Sequence, residues 1–240
     1  MNLIIDIGNT NVKIAFFKAG ELVLKEFVNY DDVIEFLNGK KFNQGLVANV
    51  GNQQLLDEIS SAYPFILKMS SELKLPIRCM YESKQTLGND RLANAVGAFM
   101  LYPKNNSLVI DAGSCLTYDF IDSNDCYIGG AISPGINMRF KSLKEFTENL
   151  PKLDYSSVKL ELIGKNTETS ITSGVINGAI AEINYLIEQY KQSYENLNVI
   201  ITGGDTSFIN SIAVIEKNSI FAHENLTLLG LNTILNYNAK

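Results

Sequence analysis

The stretch 3–17 opens with an apolar run, Leu3-Ile4-Ile5, that ends in Asp6. Ile7-Gly8-Asn9-Thr10-Asn11 follows as a turn, and Val12-Lys13-Ile14-Ala15-Phe16-Phe17 is again mostly apolar. This pattern predicts strand, turn and strand. The pattern recurs at 108–121: Leu108-Val109-Ile110, Asp111-Ala112-Gly113, Ser114, then a second strand through Ile121. Chance hairpins do not usually match over so many positions. The echo predicts two similar lobes, each presenting one such turn.

Between and after these hairpins the alternation continues. A third strand is predicted at 21–29, a short helix at 31–37, a buried strand at 44–50 and a helix at 52–61. The segment 63–86 holds Pro64 and Pro76 and reads as irregular, site-lining structure. A helix runs from Asp90 to about Leu101, and the polar turn 103–106 marks the lobe boundary, dividing the chain into 1–106 and 107–240. The second lobe continues with a strand at 125–132, a helix near 137–147, an irregular stretch at 150–163 and a long helix from Thr167 to about Tyr194. A strand at 197–201, helices at 207–212 and 226–237, and a short strand at Ile220 and Phe221 complete it. The order repeats that of the first lobe, so the fold class is α/β with two similar lobes. The long helix carries Ser173, Gly174, Gly178 and Ala179, small residues that admit a close-packed neighbour, either the other lobe or a second subunit.

The turns carry the candidate chemistry. Gly8 is expected to adopt φ > 0 and to let a ligand approach without meeting a Cβ. Asn9, Thr10 and the N–H groups of such a turn can cradle phosphate oxygens. Asp6 suits a phosphate only with a cation between them. For one turn alone, a β-hairpin with an Asx turn explains the residues equally well. Two carboxylates, Asp6 and Asp111, facing one polyphosphate across a shared cleft favour phosphoryl transfer with cations offsetting the charge. Thr202-Gly203-Gly204-Asp205 follows an apolar strand and offers a bare loop for a nucleotide's sugar or base, with Asp205 capping the next helix. Asp90 can act as a general base and Arg91 can grip a carboxylate or phosphate by two prongs. From spacing alone, the preferred reading is that Asn89 or Asp90 caps the helix and Arg91 pairs on the surface.

Composition narrows the classes. With 240 residues, 46% hydrophobic and 19% charged, the chain can bury a sizeable core in two lobes. A net charge of −6 and a pI near 4.9 argue against nucleic acid as a partner. No apolar run reaches membrane-spanning length, and a first strand starting by Leu3 leaves no room for a signal peptide. Cys79, Cys115 and Cys126 form no Cys-x-x-Cys pair and suit a reducing cytoplasm; Cys115 fits plain core packing. The single histidine, His223, reads as a solvated loop residue. No Walker loop and no G-x-G-x-x-G occurs.

Taken together, the two Asp-x-Gly hairpins and the late Gly-Gly-Asp loop resemble the actin, sugar kinase and Hsp70 superfamily. Within it, Asp6-Ile7-Gly8-Asn9-Thr10-Asn11, Gly88-Asn89-Asp90-Arg91, the run Asp111 to Asp119, and Gly129-Gly130-x-Ile132-x-Pro134-Gly135 resemble type III pantothenate kinases. Gly164-x-x-Thr167-x-x-x-Ile171-x-x-Gly174 and Thr202-Gly203-Gly204-Asp205 fit the same family in order, over roughly residues 3 to 231. The resemblance implies two ribonuclease H-like lobes with an ATP cleft between them. It also implies ATP-dependent phosphorylation of pantothenate in the first step of coenzyme A synthesis. Asp6, Ile7, Gly8, Asn9, Thr10, Asn11, Val12 and Lys13 would form the ATP phosphate loop, with Ser114 also on ATP. Gly88, Asn89, Asp90 and Arg91 would hold pantothenate, Asp90 as the base and Arg91 near the carboxylate, which overrides the plain cap. Tyr81 and Thr167 would line the pantothenate pocket, Thr167 reaching a partner subunit's site in a homodimer. Asp111 would bind a monovalent cation, potassium or ammonium, beside the Mg²⁺ that ATP brings. The family usually has Thr at 114 and Ala at 115, and the expected proline near Thr86 is absent. A non-catalytic relative acting as a transcriptional accessory protein, or another small-molecule kinase of the superfamily, is the competing reading.

Overall fold

A computed structural model describes residues 1–8, 11–70, 72–154, 160–212 and 220–239. These fall into two compact units, one of 1–103, 124–128 and 225–240, the other of 104–123 and 129–224.

In the first unit, β1 (Asn2–Ile7) and β2 (Val12–Lys18) form the opening hairpin, and β3 (Glu21–Val28) pairs antiparallel to β2. A turn of 3₁₀ helix leads into α1 (Val33–Leu37). The chain then crosses to β4 (Gln44–Asn49), parallel to β1. α2 (Gln53–Ala62) is capped by Asn52, whose side chain accepts the Leu55 N–H at 3.0 Å. β5 (Leu67–Lys68) completes a sheet of order β3-β2-β1-β4-β5. Alternate residues of β1 and β2 (Leu3, Ile5, Ile7, Val12, Ile14, Phe16) pack with Val33, Leu37, Leu55 and Ile59 of α1 and α2. The stretch expected to be irregular contains β5, the two-residue β6 (Arg78–Cys79) and a 3₁₀ turn at Lys84–Thr86. α3 (Asn89–Leu101) follows, with Gly88 as its N-cap.

The second unit opens with β7 (Ser107–Ala112) and β8 (Cys115–Ile121). β9 (Cys126–Pro134) starts among the first unit's residues, where Arg78↔Cys126 and Cys79↔Tyr127 pair β6 to it, and runs on into the second. α4 (Ile136–Glu145), α5 (Thr167–Ser193), β10 (Asn198–Thr202), α6 (Thr206–Ile212) and β11 (Ile220–Ala222) complete it. The second sheet has six strands in the order β11-β10-β7-β8-β9-β6, and its first five repeat the first sheet's order: hairpin, third strand on the outside, two parallel strands on the other flank. The core collects Leu108, Ile110, Ala112, Leu116, Tyr118 and Phe120 with Ile176, Ala179 and Ile183 of α5. α5 starts on a capping box between Asn166 and Thr169. On it, Ser173 and Ala179 are buried, whereas a Cβ at Gly174 or Gly178 would meet nothing within 4 Å.

The chain ends in α7 (Leu226–Asn238), which belongs to the first unit and not to the second, where the division at 106/107 puts it. α7 packs on α3 at backbone contact. A Cβ on Gly230 would lie 1.8 Å from the Ala93 carbonyl oxygen, and one on Gly97 would lie 2.6 Å from that of Leu226. The Thr227 hydroxyl donates to the buried Asn94 Oδ1 at 2.8 Å. Leu228, Leu231, Ile234 and Leu235 are buried, each worth about 1.5–3 kcal/mol relative to exposure.

Candidate active site

Asp6 sits one residue before the end of β1, opposite Lys13 on β2 and beside Ala48 on β4. Residues directly opposite across a sheet point to the same face, and the Lys13 Nζ lies 3.7 Å from the Asp6 Oδ2. Burial raises the Asp6 carboxyl above the usual carboxylate range; Lys13 opposes this, and the charge of Asp90 adds to it. The fold thus brings the end of β1 and the start of α3 within electrostatic reach in one unit.

The turn after Asp6 is closed by the Gly8 N–H donating to the Asn11 carbonyl at 3.1 Å and by the Tyr30 hydroxyl donating to the Gly8 carbonyl at 2.6 Å. Gly8 is not among the positive-φ glycines, contrary to expectation. Its Cβ would instead crowd the Asn11 carbonyl oxygen, 3.2 Å away. Ile7 and Val12 are core residues, Asn11 is exposed, and Asn9 and Thr10 lie outside the described residues.

At the start of α3, Asn89 is the first helical residue and not the cap; that place belongs to Gly88. Asp90 Oδ1 accepts the Arg91 N–H at 2.8 Å. Arg91 is no surface partner for Asp90: it is 5% exposed, and its guanidinium carbon stands 5.6 Å from the centroid of the Tyr81 ring. Tyr81 in turn lies 6.1 Å from Tyr127. Burial and the ring contact together restrict the guanidinium to one position. Tyr81, Asp90 and Arg91 therefore cluster, with Gly88 and Asn89 beside them.

In the second unit Asp111 occupies the equivalent place one residue before the end of β7. Its register neighbours are Thr117 on β8 and Thr202 on β10, both buried. The first unit's row is Lys13–Asp6–Ala48, and the second's is Thr117–Asp111–Thr202, a carboxylate between two threonines with no lysine, the Thr117 hydroxyl donating to Asp119 Oδ2 at 3.2 Å. Ser114 is exposed on the turn. The loop after Thr202 folds back on β7: the Asp205 N–H donates to the Ala112 carbonyl at 2.9 Å, and the Thr206 hydroxyl to Gly203 at 2.7 Å. Among the described residues no group of three His, Cys, Asp or Glu side chains gathers to hold a metal ion.

Thr167 is exposed in the first turn of α5. His223 is half-buried rather than solvated: its backbone N–H donates to the Ile201 carbonyl at 2.9 Å, and burial holds the imidazole pKa below its ordinary value. A cavity of about 520 Å³ lies between α4 and α5, lined by Arg139, Leu143, Leu150, Ile171, Gly174 and Val175 among others; Ile171 and Gly174 belong to the motif that opens α5, and none of the candidate ATP, pantothenate or cation residues lines it. Two supports were invisible in the sequence. Tyr30 is an ordinary aromatic opening the 3₁₀ turn after β3, and Glu182 lies mid-helix. The Glu182 carboxylate accepts from Tyr118, Ser133 and Arg139.

A family model described as type III pantothenate kinase matches residues 2–189. Type III pantothenate kinases of Christiangramia forsetii and Phocaeicola vulgatus are 42% and 43% identical to the chain, covering 99% and 100% of both sequences. Among solved structures, a Campylobacter jejuni protein assigned to the Baf family of transcriptional activators matches with TM-score 0.66 at 24% identity, over 99% of this chain and 98% of that one. A glucokinase from an Antarctic psychrotroph (TM-score 0.52, 12% identity, 98% of both chains) and an Arthrobacter polyphosphate/ATP-glucomannokinase (0.53, 12%, 100% and 99%) share the fold. The architecture is thus that of the two-lobed sugar kinase fold.

Proposed function

Because the chain belongs to the type III pantothenate kinase family, we propose that it transfers the γ-phosphoryl group of ATP to the primary hydroxyl of pantothenate, the first step of coenzyme A synthesis. The observation that carries the residue assignments is the meeting in one unit of Asp6, Asp90, Arg91 and Tyr81. Residues 6–13 of the first turn and Ser114 of the second bind ATP. Backbone N–H groups of the turns and Lys13 carry the phosphate charge. Arg91, held over Tyr81, takes the pantothenate carboxylate, with Gly88 and Asn89 shaping the pocket. The pantothenate hydroxyl donates to the Asp90 carboxylate, which aligns the attacking oxygen and receives its proton. Little covalent work falls to the protein, so positioning and charge stabilisation supply the rate.

The Asp111 carboxylate, in a strand row without a basic residue, offers oxygen only and suits a monovalent cation, potassium or ammonium, better than a transition metal. That cation and Mg²⁺ would supply charge neutralisation at the phosphates. The open face of α5 at Gly174 and Gly178 is consistent with a homodimer in which Thr167 completes a neighbouring pantothenate pocket. A cytoplasmic setting follows from the substrates.

The test is ADP release from pantothenate, ATP and magnesium, compared in potassium and in sodium. Pantothenate-dependent ADP, faster in potassium, is expected; none in either salt defeats the proposal. In the same assay Asp90→Asn should lower kcat about 10²–10⁴-fold while nucleotide still binds, and an unchanged kcat removes the base role.

A further inference from the structure

The second unit contains a carboxylate that no role above uses. Glu182 lies midway along α5, and its Oε1 accepts the hydroxyl of the fully buried Tyr118 on β8 at 2.9 Å. Its Oε2 accepts Ser133 Oγ at 3.0 Å and Arg139 Nη2 at 2.5 Å. Arg139, on α4, also donates from Nη2 to Ser133 Oγ and from Nε to the Pro134 carbonyl, both at 2.9 Å. One carboxylate therefore ties α5, β8, α4 and the end of β9 together. Although burial works against ionisation, the donors of Arg139, Tyr118 and Ser133 hold Glu182 below the usual carboxylate range.

The clamped segment ends where the second Asp-x-Gly turn lies. A Cβ on Gly135 would stand 2.4 Å from the Gly113 carbonyl oxygen and 2.5 Å from that of Ser114. The Pro134–Gly135 backbone is thus laid directly against the turn, and its position sets how far Gly113 and Ser114 can move. Nothing else in the reading of α4 and α5 requires an ion pair with four oriented hydrogen bonds at this point. A hydrophobic contact would pack these elements as well.

We propose that Glu182, acting through Arg139 and Ser133, is a positioning residue that holds the Gly113-Ser114 turn in its ATP-binding geometry. This rests on the assignment of that turn to ATP. Glu182→Gln keeps the length and one acceptor oxygen but replaces the other with a donor facing the donors of Ser133 and Arg139. It is expected to raise the KM and the Kd for ATP about tenfold, since small misplacements at such a turn are costly. The KM for pantothenate should stay within about twofold, because Arg91 and Asp90 belong to the other unit. Arg139→Lys keeps the charge but loses the Nε bond to Pro134, and should move ATP affinity in the same direction by less. A double-mutant cycle of Glu182→Gln with Arg139→Gln should show effects well short of additive. Glu188→Gln, altering an exposed pair with Lys191, serves as the control and should leave both constants unchanged.

Thermal midpoints are read alongside, and should Glu182→Gln not fold, Ser133→Ala removes one donor and tests the same clamp. Folded variants with wild-type ATP affinity, or a parallel loss for both substrates, overturn the proposal while leaving the kinase reading intact. Wild-type protein that binds no ATP in direct titration overturns the turn assignment itself, and this proposal with it.

Discussion

Gly113 and Gly203 stand close together in the second unit, and each lacks a side chain for a different reason. Gly203 sits at φ +96°, and a Cβ there would be 2.4 Å from both the Ala112 carbonyl oxygen and Asp111 Oδ1. The fold itself excludes any other residue, so Gly203→Ala should cost at least about 1–3 kcal/mol of stability. Gly113 has no positive φ, and its Cβ would meet Asp111 Oδ1 at 3.6 Å and Cys115 O at 3.9 Å, ordinary contacts. The chain's own packing tolerates an alanine there. Glycine at 113 is explained if a ligand's phosphate needs the space. Gly113→Ala is therefore expected to unfold at the wild-type temperature or a few degrees above, from reduced freedom of the unfolded chain, while ATP affinity falls about tenfold or more. Thermal unfolding with nucleotide titration checks both, and an alanine variant that binds ATP normally removes the close-approach argument.

At the scale of elements, α7 decides where α3 lies, and α3 carries Asp90 and Arg91 at its first turn. The two helices touch through Gly230 and Gly97 with no side chain between them. In Gly230→Ala the new methyl has only backbone to meet, so α3 and α7 must separate. Stability should drop by about 1–3 kcal/mol, as in overpacked cores, with kcat falling because Asp90 moves. A variant with wild-type kcat and stability would show that the contact is slack. The periodicity of this region was legible from residues alone: both hairpins, the helices at α2, α3 and α5 and even the repeated order follow from alternation and turn residues. The role of α7 was not. Its apolar positions announce a helix, but nothing local says that the chain's last segment returns to its first unit. The same holds at the site. Asp6 and Asp90 stood out singly, yet their mutual electrostatics and the position of Arg91 against the Tyr81 ring come from tertiary placement, which spacing cannot encode. Spacing alone favoured a surface Arg91, and burial decided otherwise.

The whole molecule is discontinuous in a way that bears on how it folds. The first unit needs 1–103, then the first residues of β9, then α7. Cutting at 106/107, where the turn composition invites a boundary, strips α3 of the helix that covers Ala93 and Gly97 and leaves Asn2 without its bonds to Asn232 and Asn236 at 2.7 and 2.8 Å. Those two bonds also show that the start of β1 and the last turns of α7 are neighbours. A fragment of 1–106 is therefore expected to lack a cooperative thermal transition, since the leucines and isoleucine of α7 that bury against it supply about 6–12 kcal/mol, comparable to the whole stability of a domain. A rearranged fragment, 225–239 joined by a short Gly/Ser linker to 1–106, restores α7 at the same place and should unfold cooperatively. Circular dichroism melts of the two fragments separate the outcomes. Cooperative unfolding of 1–106 alone would mean that α7 is an accessory to the first unit, and that the support of α3 and its Asp90–Arg91 turn comes from the sheet.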